Sequence, residues 1–557
     1  MLSSTPDELY ERHRDLLRRA QDAVAAREFW TPYPEGPGDA AYGTDAAAAG
    51  ERAFEQLIGR DFAIEVPGAA GRISPERSPY GLALDVSYPR STVDALVAAA
   101  RAAMPAWREV GPHGRAGVAA EILTRLNARS FEIAQAVRHT TGQPFMMAFQ
   151  AGGPHAQDRG LEATAVALTE STRFPAVANW EKPHRGAPIR LHKTFTVVPR
   201  GVSLVIGCNT FPTWNSYPGL FASLVAGNPV IVKPHPRAIL PLAITVQTAR
   251  EVLAGAGLDP NLVTLAVEEP GDGIAATLAT HPAVRVVDFT GSRAFGDWLE
   301  ANARHAVVYT EKAGLNTVVL DSTDDYPGLL RNLATSLSLY SGQMCTTPQN
   351  LLVPLAGIST PAGARTPDEF AADLGAAIDR LLGDDRRAAA ILGAIVNDEV
   401  LARVDEAGTH GRVVRAADPM VDPDNPKAIL RTPLVLRLDA DAESVYSREW
   451  FGPISFVVAT ASTTHSLELF RTSVTHHGAI AAAVYSTSEE ILVAARQAAL
   501  DCGVHLSENL TGGVLVNQNA AFSDLHGTAA NPAATATLAD AAFVTGRFSV
   551  LESRRHV

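Results

Sequence analysis

The sequence is poor in cysteine, which excludes several classes of protein. Its 557 residues include three cysteines, Cys208, Cys345 and Cys502, which lie far apart in the chain. They form neither a disulfide framework nor a CxxC metal motif. Because free thiols are typical of a reducing compartment, we expect a cytoplasmic protein without a metal site.

Excess positive charge and long apolar runs are also absent. The net charge of −13 argues against a nucleic-acid partner. No apolar run approaches the roughly 18 residues of a membrane-spanning helix, and the acidic N-terminus is unlike a signal peptide. The composition is 46% hydrophobic and 19% charged, as in ordinary globular proteins. We therefore expect a protein of two large domains that binds neither nucleic acid nor membrane.

The first 60 residues predict a helical arm. Thr5-Pro6-Asp7-Glu8 combines an N-cap, a proline at the first helical position and acidic residues near the helix dipole. A second helix is expected over 45–58. We interpret this arm as packing over the globule rather than as a separate function.

The following region begins with amphipathic helical patterns, including 115–127 and 131–139. Residues 189–198 then alternate like an antiparallel strand. After this strand, regular alternation of strands and helices over 201–303 predicts a doubly wound parallel sheet, and hence an α/β fold. Its topological switch point is a natural nucleotide site. The GxGxxG fingerprint is absent, so a standard Rossmann phosphate loop is not supported.

Glu311 and Cys345 carry the strongest chemical signal. Glu311 ends an apolar run, and Cys345 lies in a turn of small residues. A thiol and a carboxylate on converging elements suit covalent catalysis with a general base. Taken alone, a lone cysteine is more often a small buried side chain, and Glu311 reads as a solvated carboxylate at a strand end. No His or Cys lies near Cys345 in the sequence to bind a metal.

The surrounding motifs resemble a known family. Glu-x-x-Gly-x-Asn at 311–316 and Gly-Gln-x-Cys at 342–345 resemble the active-site core of the aldehyde dehydrogenase superfamily. The resemblance runs from about residue 80 to about residue 520. The runs Thr-Phe-Pro-Thr-Trp-Asn-Ser-Tyr-Pro at 210–218 and Lys-Pro-His-Pro-Arg at 233–237 resemble most the PaaN group, stand-alone enzymes of phenylacetate degradation. Three further family motifs follow in the expected order: Gly-Asn-Pro-Val-Ile-Val-Lys-Pro at 227–234, Phe-Thr-Gly-Ser-x-x-x-Gly at 289–296 and Glu-Trp-Phe-Gly-Pro at 449–453.

The resemblance implies the aldehyde dehydrogenase architecture, with a cofactor domain, a catalytic domain and a small β element that pairs subunits. We expect the cofactor domain over 61–310, with oligomerisation strands at about 187–199, and the catalytic domain over 311–520. A C-terminal tail then covers 521–557. A homodimer or tetramer is expected, although an edge hairpin in a monomer remains an alternative. The tail departs from the family pattern, so no functional residue is assigned there.

The resemblance also implies the catalytic roles. Cys345 attacks an aldehyde carbonyl to give a thiohemiacetal and then a thioester. Glu311 is the general base for the water that releases the acid. Asn209 is the expected oxyanion donor together with the backbone N–H of Cys345; Asn215 and Thr210 remain alternatives.

Six residues are expected to bind the nicotinamide cofactor by the same resemblance. Lys233 matches the family lysine on the adenosine ribose, and Gly291, Ser292 and Gly296 open a helix suited to phosphate. Glu449 and Phe451 match the pair that contacts the nicotinamide ribose and ring. NAD-preferring relatives often carry Glu three positions after the lysine, whereas this chain has Pro236. The cofactor is therefore NADP or NAD, with a lean to NADP.

The function implied is NAD(P)-dependent oxidation of an aldehyde to a carboxylic acid. The PaaN-like runs suggest the ring-opened oxepin coenzyme A semialdehyde of phenylacetate catabolism as substrate, with a separate enoyl-CoA hydratase as a pathway partner. The presence of Glu311 favours hydrolysis over transfer to coenzyme A. The alternatives are a coenzyme A-acylating enzyme, a broad-specificity aldehyde dehydrogenase and a catalytically silent cofactor-binding scaffold.

Overall fold

The computed structural model describes residues 4–516, 522 and 524–557. The helices are α1 (Pro6–Ala26), α2 (Asp39–Tyr42), α3 (Ala46–Glu55), α4 (Val93–Ala128), α5 (Ser130–Thr141), α6 (Phe145–Gly152), α7 (Pro154–Ser171), α8 (Pro212–Val225), α9 (Leu240–Gly255), α10 (Ile274–Thr280), α11 (Arg293–Asn302), α12 (Tyr326–Ser338), α13 (Pro367–Leu382), α14 (Asp385–Ile391), α15 (Asp398–Ala407), α16 (Glu443–Tyr446), α17 (Thr463–His477), α18 (Glu489–Cys502) and α19 (Ala541–Thr545). Short 3₁₀ turns cover Pro260–Leu262 and Leu339–Gly342.

The strands alternate with these helices over most of the chain. They are β1 (Arg72–Ile73), β2 (Tyr88–Pro89), β3 (Val177–Lys182), β4 (Ile189–Pro199), β5 (Val202–Ile206), β6 (Val230–Lys233), β7 (Val263–Leu265), β8 (Val284–Gly291), β9 (Val307–Lys312), β10 (Thr317–Leu320), β11 (Asn350–Pro354), β12 (Arg412–Arg415), β13 (Pro419–Met420), β14 (Leu430–Arg431), β15 (Leu434–Asp439), β16 (Ile454–Thr460), β17 (Ala481–Tyr485), β18 (His505–Glu508) and β19 (Phe548–His556).

The N-terminal arm begins as its sequence predicts. The side chain of Thr5 accepts a hydrogen bond from the backbone N–H of Glu8, and the Glu8 carboxylate accepts one from the N–H of Thr5. Helix α1 then packs against α4 and α7. The helix expected over 45–58 ends earlier, at Glu55. Helix α4 is broken at Gly111, whose φ of 77° is left-handed, so two helical segments meet there at a kink.

Five parallel strands form the first sheet, in the order β7-β6-β5-β8-β9. The chain adds β6 and β7 on one side of β5 and then returns to place β8 on the other side. The strand order therefore reverses between β5 and β8, whose carboxyl ends face a crevice. This arrangement confirms the predicted doubly wound α/β fold.

A second sheet of seven strands follows, in the order β12-β15-β16-β11-β10-β17-β18. Its strands are parallel except β12, which pairs antiparallel with β15. The predicted antiparallel strand is β4, the centre of a third sheet of three strands. Its other neighbour is β19, which pairs from Phe548 opposite Pro199 to His556 opposite Leu191. The domain limits at 60, 310 and 520 remain predictions.

The C-terminal segment returns to the first sheet before it forms β19. The backbone N–H of Lys312 donates to the carbonyl oxygen of Ala533 at 2.6 Å, and that of Thr535 donates to Thr310 at 3.0 Å. Farther on, the guanidinium of Arg547 makes two hydrogen bonds to the carboxylate of Asp288, at 2.6 and 2.7 Å. The tail is thus fastened to the end of β9, where Glu311 lies. Within the described chain, no helix combines the length and apolar character needed to cross a membrane.

Candidate active site

A cavity of about 900 Å³ opens at the switch point of the first sheet. Its wall includes Ile206 at the end of β5 and Phe289 near the end of β8. This is the crevice where open α/β sheets bind nucleotides. Its volume lies in the range of cofactor sites, about 300–1,000 Å³. Glu311 and Cys345 also belong to its wall, so the predicted catalytic pair faces this cavity.

Cys345 follows an unusual backbone turn. Tyr340, Ser341 and Gly342 all have left-handed conformations, with φ of 54°, 50° and 66°. A non-glycine residue adopts this conformation only when its surroundings enforce it. The hydroxyl of Tyr340 donates to the carbonyl oxygen of Thr141 at 2.5 Å, and that of Ser341 donates to Gly393 at 3.0 Å. These hydrogen bonds hold the turn in the conformation that places Cys345 at the wall of the cavity.

Asn316 holds the chain on the other side of Cys345. Its amide nitrogen donates to the carbonyl oxygens of Cys345 at 2.7 Å and Thr347 at 3.1 Å. Its amide oxygen accepts from the backbone N–H groups of Ile480 and Ala481, both at 3.0 Å. One buried side chain therefore ties the Cys345 loop to the loop before β17. This explains physically why the Glu-x-x-Gly-x-Asn motif ends in asparagine.

His526 lies between the two predicted catalytic residues. Its Nε2 is 2.9 Å from Oε1 of Glu311 and 4.0 Å from Sγ of Cys345. Oε1 lies close to this nitrogen but makes no well-aligned hydrogen bond within the described residues. The imidazole also packs edge-on against Trp214, with ring centroids 4.8 Å apart. No histidine is near Cys345 in the sequence, but the tail brings one to it from a distant part of the chain.

Electrostatic interactions shift the pKa values of Cys345 and Glu311 in opposite directions. Burial and the adjacent negative charge of Glu311 raise the pKa of Cys345 well above its usual value. Burial would also raise the pKa of Glu311, but its interaction with His526 and its hydrogen bond with Cys345 outweigh burial and lower the pKa. At neutral pH the resting pair is therefore a thiol beside a carboxylate. The carboxylate is the acceptor for the thiol proton.

The three candidate oxyanion donors differ in their surroundings. Both amide atoms of Asn209 are buried and lack a hydrogen-bond partner in the described residues, and Asn209 lines the large cavity. Asn215 is already engaged, since its amide nitrogen donates to Oε2 of Glu311 at 3.2 Å. The hydroxyl of Thr210 is directed to the sulfur of Cys208, at 3.9 Å. The uncommitted amide of Asn209 is the one suited to a transient oxyanion.

Lys233 is buried at the end of β6 and lines the large cavity. It forms an ion pair with Glu268, a cavity residue that sequence reasoning missed. The other carboxylate oxygen of Glu268 accepts from the backbone N–H of Ile274 at 2.8 Å. A fixed lysine and carboxylate together match the hydroxyl groups of a ribose. The cavity thus fits the adenosine side of a nicotinamide dinucleotide.

The predicted phosphate residues lie where β8 passes into α11. Gly291 ends β8, and the hydroxyl of Ser292 caps the helix by accepting from the N–H of Phe295 at 3.4 Å. Both residues line the large cavity. Gly296 does not line it; a Cβ there would come within 2.6 Å of Cδ of Lys312. Its observed role is to make room for that side chain, and its predicted contact with the cofactor stays a prediction.

Glu449 and Phe451 line the large cavity and also a smaller space beside Cys345. Burial raises the pKa of Glu449, while Arg293 and Arg403 oppose the shift. Arg403 also donates to the carbonyl oxygen of Phe451 at 2.7 Å. Both predicted residues therefore stand on the Cys345 side of the cavity, opposite the Lys233 end.

A second cavity, of about 340 Å³, reaches Cys345 from another direction. Met146, Met147, Phe211, Trp214 and Leu339 contribute apolar surface to it. Among its described lining residues there is no Arg, Lys, Asp or Glu. Cys345 lines both this cavity and the large one. A nucleophile between a nucleotide-sized cavity and an apolar cavity defines an oxidoreductase that holds its substrate on cysteine.

The comparisons with known proteins agree with this class. The model of the aldehyde dehydrogenase family matches residues 86–516, and the chain belongs to this family. It is an NAD(P)-dependent aldehyde dehydrogenase. The chain is 55% identical to a solved structure from Burkholderia multivorans, described as an NAD-dependent aldehyde dehydrogenase. That match has a TM-score of 0.97 and covers 99% of each chain.

Two curated relatives are more distant. The N-succinylglutamate 5-semialdehyde dehydrogenase of Chromobacterium violaceum is 29% identical over 66% of this chain and 72% of its own length. The vanillin dehydrogenase of Pseudomonas fluorescens is 27% identical over 70% of this chain and 78% of its own length. Both act on aldehydes by name, and their substrates differ. The relatives thus support the reaction and leave the aldehyde open.

Proposed function

We propose that the chain oxidises an aldehyde on an uncharged carbon chain to the free acid through a thioester on Cys345. The observation that carries this proposal is the position of Cys345, which lines both cavities and lies beside Glu311. An aldehyde in the smaller cavity faces the thiol from one side. The large cavity, whose lining fits a nicotinamide dinucleotide, faces the thiol from the other.

The residues support a reaction in two halves. The Cys345 thiol passes its proton to the Glu311 carboxylate, and the sulfur attacks the carbonyl carbon. The oxyanion that forms accepts hydrogen bonds from the amide of Asn209 and the backbone N–H of Cys345. A bound nicotinamide dinucleotide supplies the hydride acceptor. Lys233, Gly291, Ser292, Glu449 and Phe451 would hold it.

The second half releases the acid. Once Glu311 has released the thiol proton to solvent, its carboxylate accepts a proton from a water that attacks the thioester carbonyl. The carbon–sulfur bond breaks, the acid leaves, and the sulfur takes that proton back from Glu311. The lowered pKa of Glu311 keeps the carboxylate in its base form at neutral pH. A base held beside the sulfur favours hydrolysis over transfer to coenzyme A.

The residues that line the apolar cavity indicate which kind of aldehyde it accepts. Because its described lining contains no Arg or Lys, it offers no guanidinium or ammonium group to a substrate with a carboxylate near the aldehyde, such as a succinylated amino acid. The coenzyme A semialdehyde formed by opening the oxepin ring in phenylacetate catabolism carries its aldehyde on an uncharged chain. We propose this semialdehyde as the substrate, with a separate enoyl-CoA hydratase acting in the same pathway.

A parallel substrate assay tests the proposal. The ring-opened coenzyme A semialdehyde, N-succinylglutamate semialdehyde, vanillin and simple aliphatic aldehydes are compared by kcat/KM from the absorbance of the reduced cofactor. We expect the coenzyme A semialdehyde to lead by at least about tenfold, or about 1.4 kcal/mol of transition-state stabilisation. Equal turnover of all the aldehydes would instead indicate a broad-specificity enzyme. A coenzyme A thioester as the product, formed only with free coenzyme A, would indicate the acylating alternative.

A further inference from the structure

His526 contacts both reacting side chains of the proposed mechanism. Its Nε2 lies 2.9 Å from the Glu311 carboxylate and 4.0 Å from the Cys345 sulfur. The side chain is buried, with 1% exposed. The three groups are compact enough for their polar atoms to lie within 4.8 Å of one another. A donor in this position interacts with whichever of its two neighbours carries the negative charge.

The tail holds His526 there. The carbonyl oxygen of His526 accepts from the backbone N–H of Leu538 at 2.8 Å, and the segment between them pairs with the end of β9 at Glu311 and Ala534. Trp214 packs against the imidazole, and the guanidinium of Arg159 lies 5.0 Å above the indole ring. The ring is therefore positioned by elements from three parts of the chain.

We propose that His526 is a further catalytic residue, which donates its Nε2–H to Glu311 in the resting enzyme and to the Cys345 sulfur in the reacting enzyme. This inference rests on the proposed nucleophile and base. When the thiol proton moves from Sγ to the Glu311 carboxylate, the electron pair and the negative charge stay on sulfur. The imidazole keeps its own proton and turns its hydrogen bond toward the sulfur. Nε2 lies within reach of both the carboxylate and the sulfur.

Other titratable groups surround this cluster. Arg159 lowers the pKa of Glu311, whereas Cys208 contributes to the raised pKa of Cys345. His505 and Asp524 interact electrostatically within the same tail segment. None of these groups lies, as His526 does, within the compact set formed with Glu311 and Cys345. Substitution of His526 should therefore change the reactivity of the Cys345 thiol more than substitution of His505.

The test measures alkylation of Cys345 by iodoacetamide as a function of pH, without aldehyde or cofactor. The modified peptide is identified by mass spectrometry, which separates Cys345 from Cys208 and Cys502. We expect His526→Ala to slow alkylation by about tenfold at neutral pH, equivalent to about one unit in the pKa of the thiol. The pH at which the alkylation rate rises should shift to a higher value in this variant. Glutamine places an amide donor near the position of Nε2, so His526→Gln should recover part of the rate.

The matched control is His505→Gln. His505 belongs to the same region, and its Nε2 lies 3.0 Å from the carbonyl oxygen of Gly527. Glutamine can still donate to that oxygen, so we expect the wild-type alkylation profile. A wild-type profile in His526→Ala, or a glutamine variant as slow as the alanine variant, would overturn the donor role. Since the assay uses no substrate, failure of the substrate assignment leaves this result intact.

A second inference concerns cofactor choice and depends on Glu268. The carboxylate lies in the large cavity, paired with Lys233 and fixed by the N–H of Ile274. We infer that Glu268 selects NAD over NADP, because a carboxylate accepts from a ribose 2′-hydroxyl and repels a 2′-phosphate. Pro236 occupies the position, three residues after Lys233, where many NAD-preferring relatives carry Glu. Here the carboxylate comes instead from the loop that follows β7, the strand next to β6.

The nearby cations do not offset this charge. Burial, together with Lys233 and Arg237, lowers the pKa of His235 to about 4, so its ring is neutral at physiological pH. Arg237 donates to the carbonyl oxygen of Val396 at 2.9 Å, which engages its guanidinium. A 2′-phosphate would therefore meet the Glu268 carboxylate, a lysine already paired with it, and an arginine held in part by Val396.

Direct binding tests this inference without turnover. Dissociation constants for NAD and NADP are measured by calorimetry on the wild type, on Glu268→Ala and on the control Glu269→Gln, which neutralises the neighbouring acid outside the cavity wall. We expect the wild type and the control to bind NAD at least about tenfold more tightly. In the Glu268→Ala variant, the ratio of the NADP and NAD dissociation constants should fall most of the way to one. Equal or tighter binding of NADP by the wild type, or an unchanged ratio in the variant, would contradict the assignment.

Discussion

The side-chain amide of Asn316 donates a hydrogen bond to the carbonyl oxygen of Cys345, at 2.7 Å. The motif asparagine thus sets the backbone of the nucleophile rather than contacting the cavity. We expect Asn316→Ala to lower stability by about 1–3 kcal/mol, because it leaves buried backbone groups unsatisfied, and to slow acylation of Cys345. Urea unfolding and single-turnover kinetics measure both effects. Asn302→Ala, which removes an exposed bond to the carbonyl of Trp298, is the control and should change neither.

Glu311→Gln should slow formation of the thioester, because the thiol loses its proton acceptor, and should stop the reaction once the thioester has formed. An amide cannot accept the proton of the attacking water, so we expect a burst of about one reduced cofactor per site followed by little turnover. Rapid-mixing absorbance detects the burst, and mass spectrometry detects the acyl group on Cys345. The Cys345→Ala variant should show neither. Full steady-state turnover in Glu311→Gln would exclude Glu311 as the base.

Zinc is expected to inhibit the enzyme reversibly. Glu311, Cys345 and His526 bring carboxylate, thiol and imidazole ligand atoms within 4.8 Å of one another, a set of ligands that zinc prefers. Inhibition should be relieved by a chelator and be absent with Mg²⁺, which prefers oxygen ligands. His526→Ala should raise the inhibition constant by about tenfold or more. The same inhibition constant in this variant would show that zinc binds elsewhere.

A buried carboxyl group should make stability depend on pH. Glu76 accepts from the backbone N–H groups of Ile239 and Leu240 at the start of α9, and burial raises its pKa to about 7 from 4.5. At a pH between these two pKa values, Glu76 is ionised in the unfolded chain and protonated in the folded chain. Stability therefore falls as pH rises through this range, by about 3 kcal/mol in total.

Glu76→Gln should remove this loss, because the amide oxygen still accepts the two backbone hydrogen bonds and carries no charge. Urea unfolding at several pH values measures the slope. The surface substitution Glu55→Gln should keep the wild-type dependence. A wild-type slope in Glu76→Gln would assign the pH dependence to other groups.

The small sheet of β3, β4 and β19 exposes apolar side chains. Val177, Trp180 and Leu551 are 51%, 39% and 58% exposed. Exposed apolar surface on an open sheet suits association with a second copy, so we expect a homodimer or tetramer that uses these strands. Leu551→Glu should shift the protein toward the monomer in light scattering. Leu500→Glu, at a 75% exposed position on α18, should not, and a monomeric wild type would refute the assignment.

Local pattern was sufficient for much of the fold. The predicted strand over 189–198 and the predicted helix over 131–139 agree closely with Ile189–Pro199 and Ser130–Thr141. Periodicity and turn residues act over a few neighbouring positions, so such elements can be predicted from sequence. The break at Gly111 agrees with the separate helical pattern predicted from residue 115, whereas the early end of α3 was missed.

Glu311, Cys345 and Lys233 were recognised from contiguous motifs, because each lies at a strand end or turn whose residues are neighbours in the sequence. The tertiary structure alone revealed the partners of these residues. His526 reaches Cys345 from 181 positions away, and Glu268 reaches Lys233 from the loop that follows the adjacent strand β7. No local signal marks such pairs, since their distance depends on how the tail and the parallel strands pack. The sequence by itself therefore determined the reaction class and the nucleophile, while tertiary packing decided which groups modulate the thiol and face the cofactor.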